Sequence, residues 1–270
     1  MKLLILYFSA TGITRTIAKI IGDKFAEIGC QVTISDITSS ADRQKTFDFN
    51  AYHAVVFGVP IHSWRAPKAV TKWIKTLNGQ GKKCSTFFTY GGFGAHPTHY
   101  STGQLLGNQN FIVVSSAEFM GFYAFDRPGR KAREDRIDDS FFEVALEYAG
   151  KTYKRFTGED NTVLEKTNYT EEQLDSIESF KFNVITQLPT REGKSCSMCL
   201  ICEESCPTEA MKAKYGEADQ EKCIACLACV DNCPENALKI KDISDSWSFK
   251  VEIEKLTGES MKKQKSKLYL

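Results

Sequence analysis

The chain has 270 residues, 42% of them apolar and 26% charged, with a formal net charge of +1. That length suits two domains that each bury a core, and the composition excludes a disordered or fibrous chain. The near-neutral balance gives no pull towards nucleic acid or a membrane surface, and nowhere does the sequence approach 18 consecutive apolar residues. The opening MKLLILYF is broken by Ser9, Thr11 and Gly12 without a cleavage signal. The expectation is a cytoplasmic protein with no nucleic-acid and no membrane partner.

Leu3 to Phe8 reads as a fully buried strand, the polar turn SATGIT follows, and Arg15 to Ile28 carries apolar residues at helical spacing. Further strands are predicted at Gln31 to Asp36, Ala54 to Gly58, Ser85 to Tyr90 and Phe111 to Ser116, with helices at Lys68 to Leu77 and Ile137 to Phe156. Strands alternating with helices at this rhythm predict an α/β fold with a doubly wound, five-stranded parallel sheet. Ligands on such sheets sit beyond the carboxyl ends of the strands where strand order reverses. Three loops qualify: Ser9 to Thr14, Pro60 to Pro67, and Tyr90 to Pro97.

In the first loop, Ser9, Thr11 and Thr14 supply hydroxyls at the positive end of a helix, and Gly12 lets the backbone come close. It holds no Lys or Arg, so it suits a monophosphate better than a triphosphate; a GxxxxGK[ST] cradle is absent. The second loop, with Pro60, Ile61, His62, Ser63 and Trp64, offers the indole as a planar partner for an aromatic ring, and His62 reads as a surface or hydrogen-bonding histidine. In the third, Gly91, Gly92 and Gly94 permit close backbone approach, with Tyr90, Phe93 and His96 for edges. GGFG lacks the spacing of a dinucleotide fingerprint. Residues 126–136 hold five basic and three acidic side chains and read as a solvated helix start.

Thr157 to Asn168 is polar, and Thr170 with Gln173 forms a capping-box pattern opening a connector helix to about Gln187, with Leu174, Ile177, Phe180 and Val184 on one side. Then comes the compositional outlier. Eight of the ten cysteines lie in CSMCLICEESCP from Cys196 and CIACLACVDNCP from Cys223, two C-x2-C-x2-C-x3-C-P runs 27 residues apart. Three thiolates on a tight loop, with backbone N–H groups aimed at the sulfurs, suit a [4Fe–4S] cube. Zinc sites space two knuckles further apart. In a two-cluster ferredoxin the fourth ligand of each cluster comes from the other run. This assigns Cys196, Cys199, Cys202 and Cys233 to one cluster, and Cys223, Cys226, Cys229 and Cys206 to the second. Ile201, Ala225, Leu227 and Ala228 supply an apolar surround, and Cys30 and Cys84 read as ordinary small thiols. Beyond the repeat, Trp247, Phe249, Val251 and Ile253 alternate as in a strand, and MKKQKSK reads as a mobile basic tail.

SATGIT after a buried first strand resembles the flavodoxin phosphate loop [ST]-x-T-G-x-T, matching at all four defined positions. The resemblance implies FMN, with Ser9, Ala10, Thr11, Gly12, Ile13 and Thr14 around the ribityl phosphate, Trp64 stacked on the isoalloxazine and the Gly91–Gly94 backbone at the pyrimidine edge. His96 and His99 become candidates for protonating reduced flavin. As a whole the chain resembles the fused flavodoxin–ferredoxin proteins of the EFR1 family. That organisation gives a flavodoxin-like domain at 1–156, a linker at 157–188, a ferredoxin domain at 189–242 and a C-terminal strand and tail at 243–270. The expected function is electron transfer between FMN, two [4Fe–4S] clusters and partner oxidoreductases. The alternatives are direct flavin reduction of a quinone, nitro compound or tetrapyrrole, and a redox or oxygen sensor.

Overall fold

The computed structural model describes residues 1–91, 96–121, 140–164, 170, 172–176, 188–191, 193, 195–240 and 266–269. The predicted strand at residues 247–253 and the basic segment at 126–136 lie outside these residues, as does most of the connector beyond 176. Strand β1 (Lys2–Tyr7) is almost wholly buried because its side chains serve both faces of a sheet: Leu4 and Leu6 point to one apolar layer, Leu3 and Ile5 to the other. Helix α1 (Ile13–Glu27) covers the second layer with Ile17, Ala18, Ile21 and Phe25.

Strands β2 (Gln31–Asp36), β3 (Ala54–Pro60), β4 (Lys83–Tyr90) and β5 (Ile112–Met120) complete a parallel sheet in the order β2-β1-β3-β4-β5, the flavodoxin-like arrangement expected. Helix α5 (Ser140–Thr157) lies with α1 on one face, through Phe141, Ala145 and Tyr148. Helix α3 (Lys68–Ile74) covers the other, together with a helix that the sequence pattern did not announce, α4 (His96–Asn108). Among the described apolar side chains of α4, Leu106 is the one fully buried in that core.

A sixth strand, β10 (Lys267–Tyr269), pairs antiparallel with β5, Leu268 lying opposite Ala117. The basic run read as a mobile tail thus ends by joining the sheet, where Tyr269 donates to buried Glu118 at 3.1 Å. Burial raises the Tyr269 phenol above its ordinary range, and the Glu118 charge adds to it.

The cysteine-rich module forms a separate four-stranded sheet of two-residue strands, β6 (Thr190–Arg191), β7 (Met211–Lys212), β8 (Glu217–Ala218) and β9 (Leu238–Lys239). It does not float free of the larger sheet. Ile224, Cys226 and Ala228 belong to the same apolar cluster as Leu6, Val59 and Val70, on the α3 and α4 face. Arg43, at the end of the short helix α2 (Ser40–Arg43), pins the two together. One of its nitrogens donates to the carbonyls of Ile37 at 3.0 Å and Thr38 at 2.6 Å, the other to that of Pro207 at 2.6 Å. Its guanidinium also lies 5.7 Å from the centre of the Phe8 ring. Arg43→Ala strips a donor from three carbonyls, so a loss of about 2 kcal/mol is expected in denaturant unfolding. Amide exchange at residues 223–228 should quicken with it, and unchanged exchange there would show that the arginine does not hold the modules together.

Candidate functional site

The first loop is set by Gly12, whose φ of 96° caps α1 in a left-handed conformation that side chains rarely adopt. Gly12 brings no side chain of its own to cap this helix end, and the first N–H groups of α1 have no intrahelical partner at the positive end of the helix dipole. Ser9 is buried, and its hydroxyl accepts the Arg15 N–H at 3.1 Å. The buried hydroxyl of Thr14 shares a hydrogen bond of 2.8 Å with that of Thr89. Ser9 accepts in its bond and keeps its own O–H to give, so the Ser9 and Thr11 hydroxyls and the backbone N–H groups remain the loop's donors.

The second loop is a tight hairpin. His62 and Arg65 exchange backbone hydrogen bonds of 2.8 and 3.0 Å around Ser63 and Trp64, whose φ angles are 49° and 66°. Two central residues with positive φ make a type I′ turn, which ordinarily recruits Asn and Gly. Non-glycine residues held there cost about 1 kcal/mol or more each, a cost that concentrates at functional sites. The Thr98 hydroxyl, on α4, fixes the turn by donating to the Trp64 carbonyl at 2.6 Å. The Ile61 N–H donates to the Thr89 carbonyl at 2.8 Å, so all three predicted loops meet around the end of β4. Tyr90 is buried there and its phenol is raised by burial and by Glu118; Gly91 ends the described part of the third loop, and Gly92, Phe93 and Gly94 lie outside it. His99 is not exposed to a ligand. Its ring nitrogens bond to Ser116 at 2.6 Å and Glu118 at 3.1 Å, and its ring lies 4.0 Å from that of Tyr269.

His62 faces the cysteine module instead of solvent. Its ring is bonded to the backbone of Ile224, while its Nδ1 is sealed from water and finds no hydrogen-bond partner among the described residues. Burial depresses its pKa to about 4 from an ordinary 6.5. The unfolded chain therefore takes up a proton near pH 6.5 that the folded one refuses until about pH 4, so stability falls as pH falls through that window. The expected loss is about 2–3 kcal/mol, visible as lower amide protection factors in residues 60–67 at pH 5 than at pH 7, with the slower intrinsic exchange at pH 5 divided out. His62→Leu should flatten the difference, and a slope that persists in this variant would place its origin elsewhere.

Each cysteine run is built in the same way. Met198 and Leu200 in the first, and Ala225 and Leu227 in the second, have φ between 50° and 64°, and Glu209 and Asn236 repeat the pattern at 57° and 49°. The conformational repeat has the same 27-residue step as the sequence repeat. Left-handed residues between the cysteines turn successive N–H groups towards the loop centre, a nest for anionic sulfur. The N–H groups of Met198, Ala225, Ala210 and Ala237 accordingly donate to the sulfurs of Cys196, Cys223, Cys206 and Cys233 at 3.2–3.4 Å. Cys196, Cys199, Cys202 and Cys233 line one cavity with Leu200, Met211 and Leu238. Among the described residues no three such side chains converge on a single metal ion; the sulfurs stand around a space. This donor set fits a cube of iron and sulfide whose charge the nests stabilise.

Burial raises the thiols of Cys202 and Cys223, pushes Cys226 up to about 12 and raises Cys229 further. Charge on Cys206 bears on Cys223, Cys226 and Cys229, whereas Cys196 and Cys233 bear on Cys202, with Cys202 also reaching Cys229. Cys233 runs the other way: burial opposes its charge, but N–H groups of Ala237, Leu238 and Glu235 hold it below its ordinary value.

A family model described as a flavodoxin domain matches residues 4–113, and one described as a 4Fe-4S dicluster domain matches residues 188–234. The chain fuses a flavodoxin domain to a 4Fe–4S dicluster domain. The first domain implies FMN and the second a pair of [4Fe–4S] clusters. No curated protein matches the chain. Among solved structures it is similar to the flavodoxin of Streptococcus pneumoniae TIGR4, at 15% identity over 59% of this chain and 100% of that one, with a TM-score of 0.43. Oxidised flavodoxin 1 from Bacillus cereus follows at 17% identity, 57% and 98% coverage and a TM-score of 0.43. Rubredoxin oxygen:oxidoreductase from Desulfovibrio gigas matches at 16% identity over 60% of this chain and 37% of its own, again at 0.43.

In the flavodoxin domain, the sequence reading missed Thr38, Thr89 and Thr98, whose hydroxyls brace the first two loops. A lone threonine after a strand or inside a polar helix carries no pattern of its own. The dicluster domain yielded every cysteine but not the way its second loop sits against His62. Among the described residues no helix is long and apolar enough to cross a membrane.

Proposed function

We propose that the chain is an electron carrier of the EFR1 type, passing electrons between FMN, two [4Fe–4S] clusters and a partner oxidoreductase. The observation that carries this reading is the junction of His62 with Ile224, which sets the second cysteine loop against the Pro60–Pro67 turn. When bound, FMN takes electrons in pairs and each cluster takes them singly, so the fusion interconverts the two.

The chain's own residues supply the frame. The Ser9–Thr14 loop holds the ribityl phosphate through backbone N–H groups and the hydroxyls of Ser9 and Thr11, with Thr14 beside them, Trp64 provides the stacking face, and Tyr90 and Gly91 begin the rim of the ring site. Cys196, Cys199, Cys202 and Cys233 hold one cluster, and Cys206, Cys223, Cys226 and Cys229 the other. Buried Ala225, Leu227 and Ala228 keep water from the junction. On this reading the domains run from 1 to 156 and from 189 to 242, with 157–188 as the link and 243–270 as the C-terminal segment, of which Lys267–Tyr269 pairs with the first sheet. The connector contributes too: Thr170 and Gln173 complete their capping box at 2.9 and 3.2 Å, and Asp175 pairs with Arg65 of the Trp64 turn at 2.7 Å. Direct reduction of a quinone, nitro compound or tetrapyrrole needs an open pocket beside the flavin, and the packing on His62 favours the carrier. An anaerobic redox titration with FMN and iron counted tests the reading. Zinc in place of iron, or no flavin after reconstitution, would sink it.

A further inference from the structure

The two cysteine loops share sequence pattern and backbone conformation, yet their surroundings are opposite. Residues 197–201 are all exposed; their counterparts 27 positions on, residues 224–228, are all buried. The cover over the second loop is the flavodoxin domain, which recognises it with an apolar floor and one arginine. The floor is the cluster shared with Val59, Ala66 and Val70, and Arg43 reaches the Pro207 carbonyl with the Glu209 charge acting on it. By the same 27-residue step, Pro207 corresponds to Pro234 and Thr208 to Glu235. Both Pro234 and Glu235 are exposed on the rim of the cavity lined by Cys196, Cys199, Cys202 and Cys233.

We propose that this outer face, formed by Met198, Leu200, Ile201 and Pro234 with the carboxylates of Glu204 and Glu235, is the docking surface for a redox protein presenting an apolar patch edged by arginine or lysine. The proposal rests on the electron-transfer reading and deepens it: the outer loop is the port through which single electrons enter or leave, and the inner loop is the internal connection. Two observations, with charge as a third, support the choice of occupant. Met198, Leu200 and Ile201 are 43%, 43% and 37% exposed, in a loop where polar side chains would be solvated without cost. Where the inner loop has Ala225 and Ala228, small enough for a permanent neighbour to close in, the outer loop has Met198 and Ile201. Such large side chains, methionine above all, adapt to a partner that comes and goes.

Charge selects the partner's sign. Residues 190–240 hold six basic and nine acidic side chains, 6 − 9 = −3, against +1 for the whole chain. Glu235 is held on this face by the Ser197 N–H, which its carboxylate accepts at 3.0 Å. A transient electron-transfer contact is small and finds its register through such complementary potentials.

The test uses holoprotein with iron and FMN counted, titrated calorimetrically with zinc-substituted cytochrome c, a lysine-rimmed protein that takes no electron in the dark. Saturable binding that weakens with salt is expected. The pair Glu204→Lys and Glu235→Lys should weaken it about tenfold or more, and Met198→Ser with Ile201→Ser about threefold. Asp23→Lys with Glu147→Lys, on the α1 and α5 face, changes net charge equally and should weaken it less than about twofold. Equal weakening by the two charge-reversing pairs, or no saturable binding by wild type at low salt, overturns the docking face. A preparation full of iron and FMN that fails to bind leaves the electron-transfer reading standing; one lacking them overturns that reading first.

Discussion

Cys206→Ala is expected to halve the iron of the protein, from about eight atoms to about four, and to empty the inner site while the outer one stays filled. Cys206 lies ten residues after Cys196, inside the first run, and by sequence proximity alone it belongs with Cys196, Cys199 and Cys202. The cavity lining groups it differently: Cys233, from the second run, shares a cavity with Cys196, Cys199 and Cys202, and Cys206 is not among its lining residues. Removing one sulfur leaves a cube with three ligands and an open corner in a pocket that excludes alternative donors, so that whole cluster goes. Cys233→Ala should lose the same amount of iron from the other site. Amide exchange tells the two variants apart, because residues 224–228 should lose protection in Cys206→Ala and residues 196–201 in Cys233→Ala. Opening of the first loop in Cys206→Ala, with the second still protected, would mean that each run holds its own cluster.

How much of this was legible in the sequence depends on whether a feature is local. The cysteine runs and SATGIT are dense patterns in which each residue type is required by neighbours a few positions away, and both were readable. The five parallel strands were readable because their apolar runs are long and punctuated. Helix α4 was not, since HPTHYSTGQLLGN contains two glycines, a proline and no apolar stripe; it is held by what covers it, not by its own periodicity. Nor was β10, because three residues after a lysine-rich run become a strand only when an edge of β5 is there to pair with. The opposite burial of two loops with the same cysteine spacing and backbone conformation is the clearest case. Ser197 and Ile224 differ in sequence, but nothing local says that one loop meets solvent and the other the Pro60–Pro67 turn. Likewise His62 could be read only as a polar loop residue until Ile224 was placed against it.

Trp64→Ala is expected to weaken FMN binding by about tenfold to a hundredfold, the equivalent of the 1–3 kcal/mol that stacking of a planar heterocycle on an aromatic side chain supplies. The turn that carries the indole strengthens the case. With Ser63 and Trp64 both at positive φ, the chain bears strain that Asn-Gly would relieve, and Thr98 spends a buried hydroxyl on holding the Trp64 carbonyl. A tryptophan needed merely for packing could sit on any turn; one displayed on a strained and externally braced turn is being aimed. Ser63→Gly separates the two effects. Glycine is at ease at that φ, so the variant should stabilise the protein by up to about 1 kcal/mol and leave FMN affinity within about twofold, because the indole is untouched. Quenching of FMN fluorescence during titration of the flavin-free protein measures both affinities. Unchanged affinity in Trp64→Ala would return the indole to a packing role and move the search for the stacking partner to the Tyr90 side of the site.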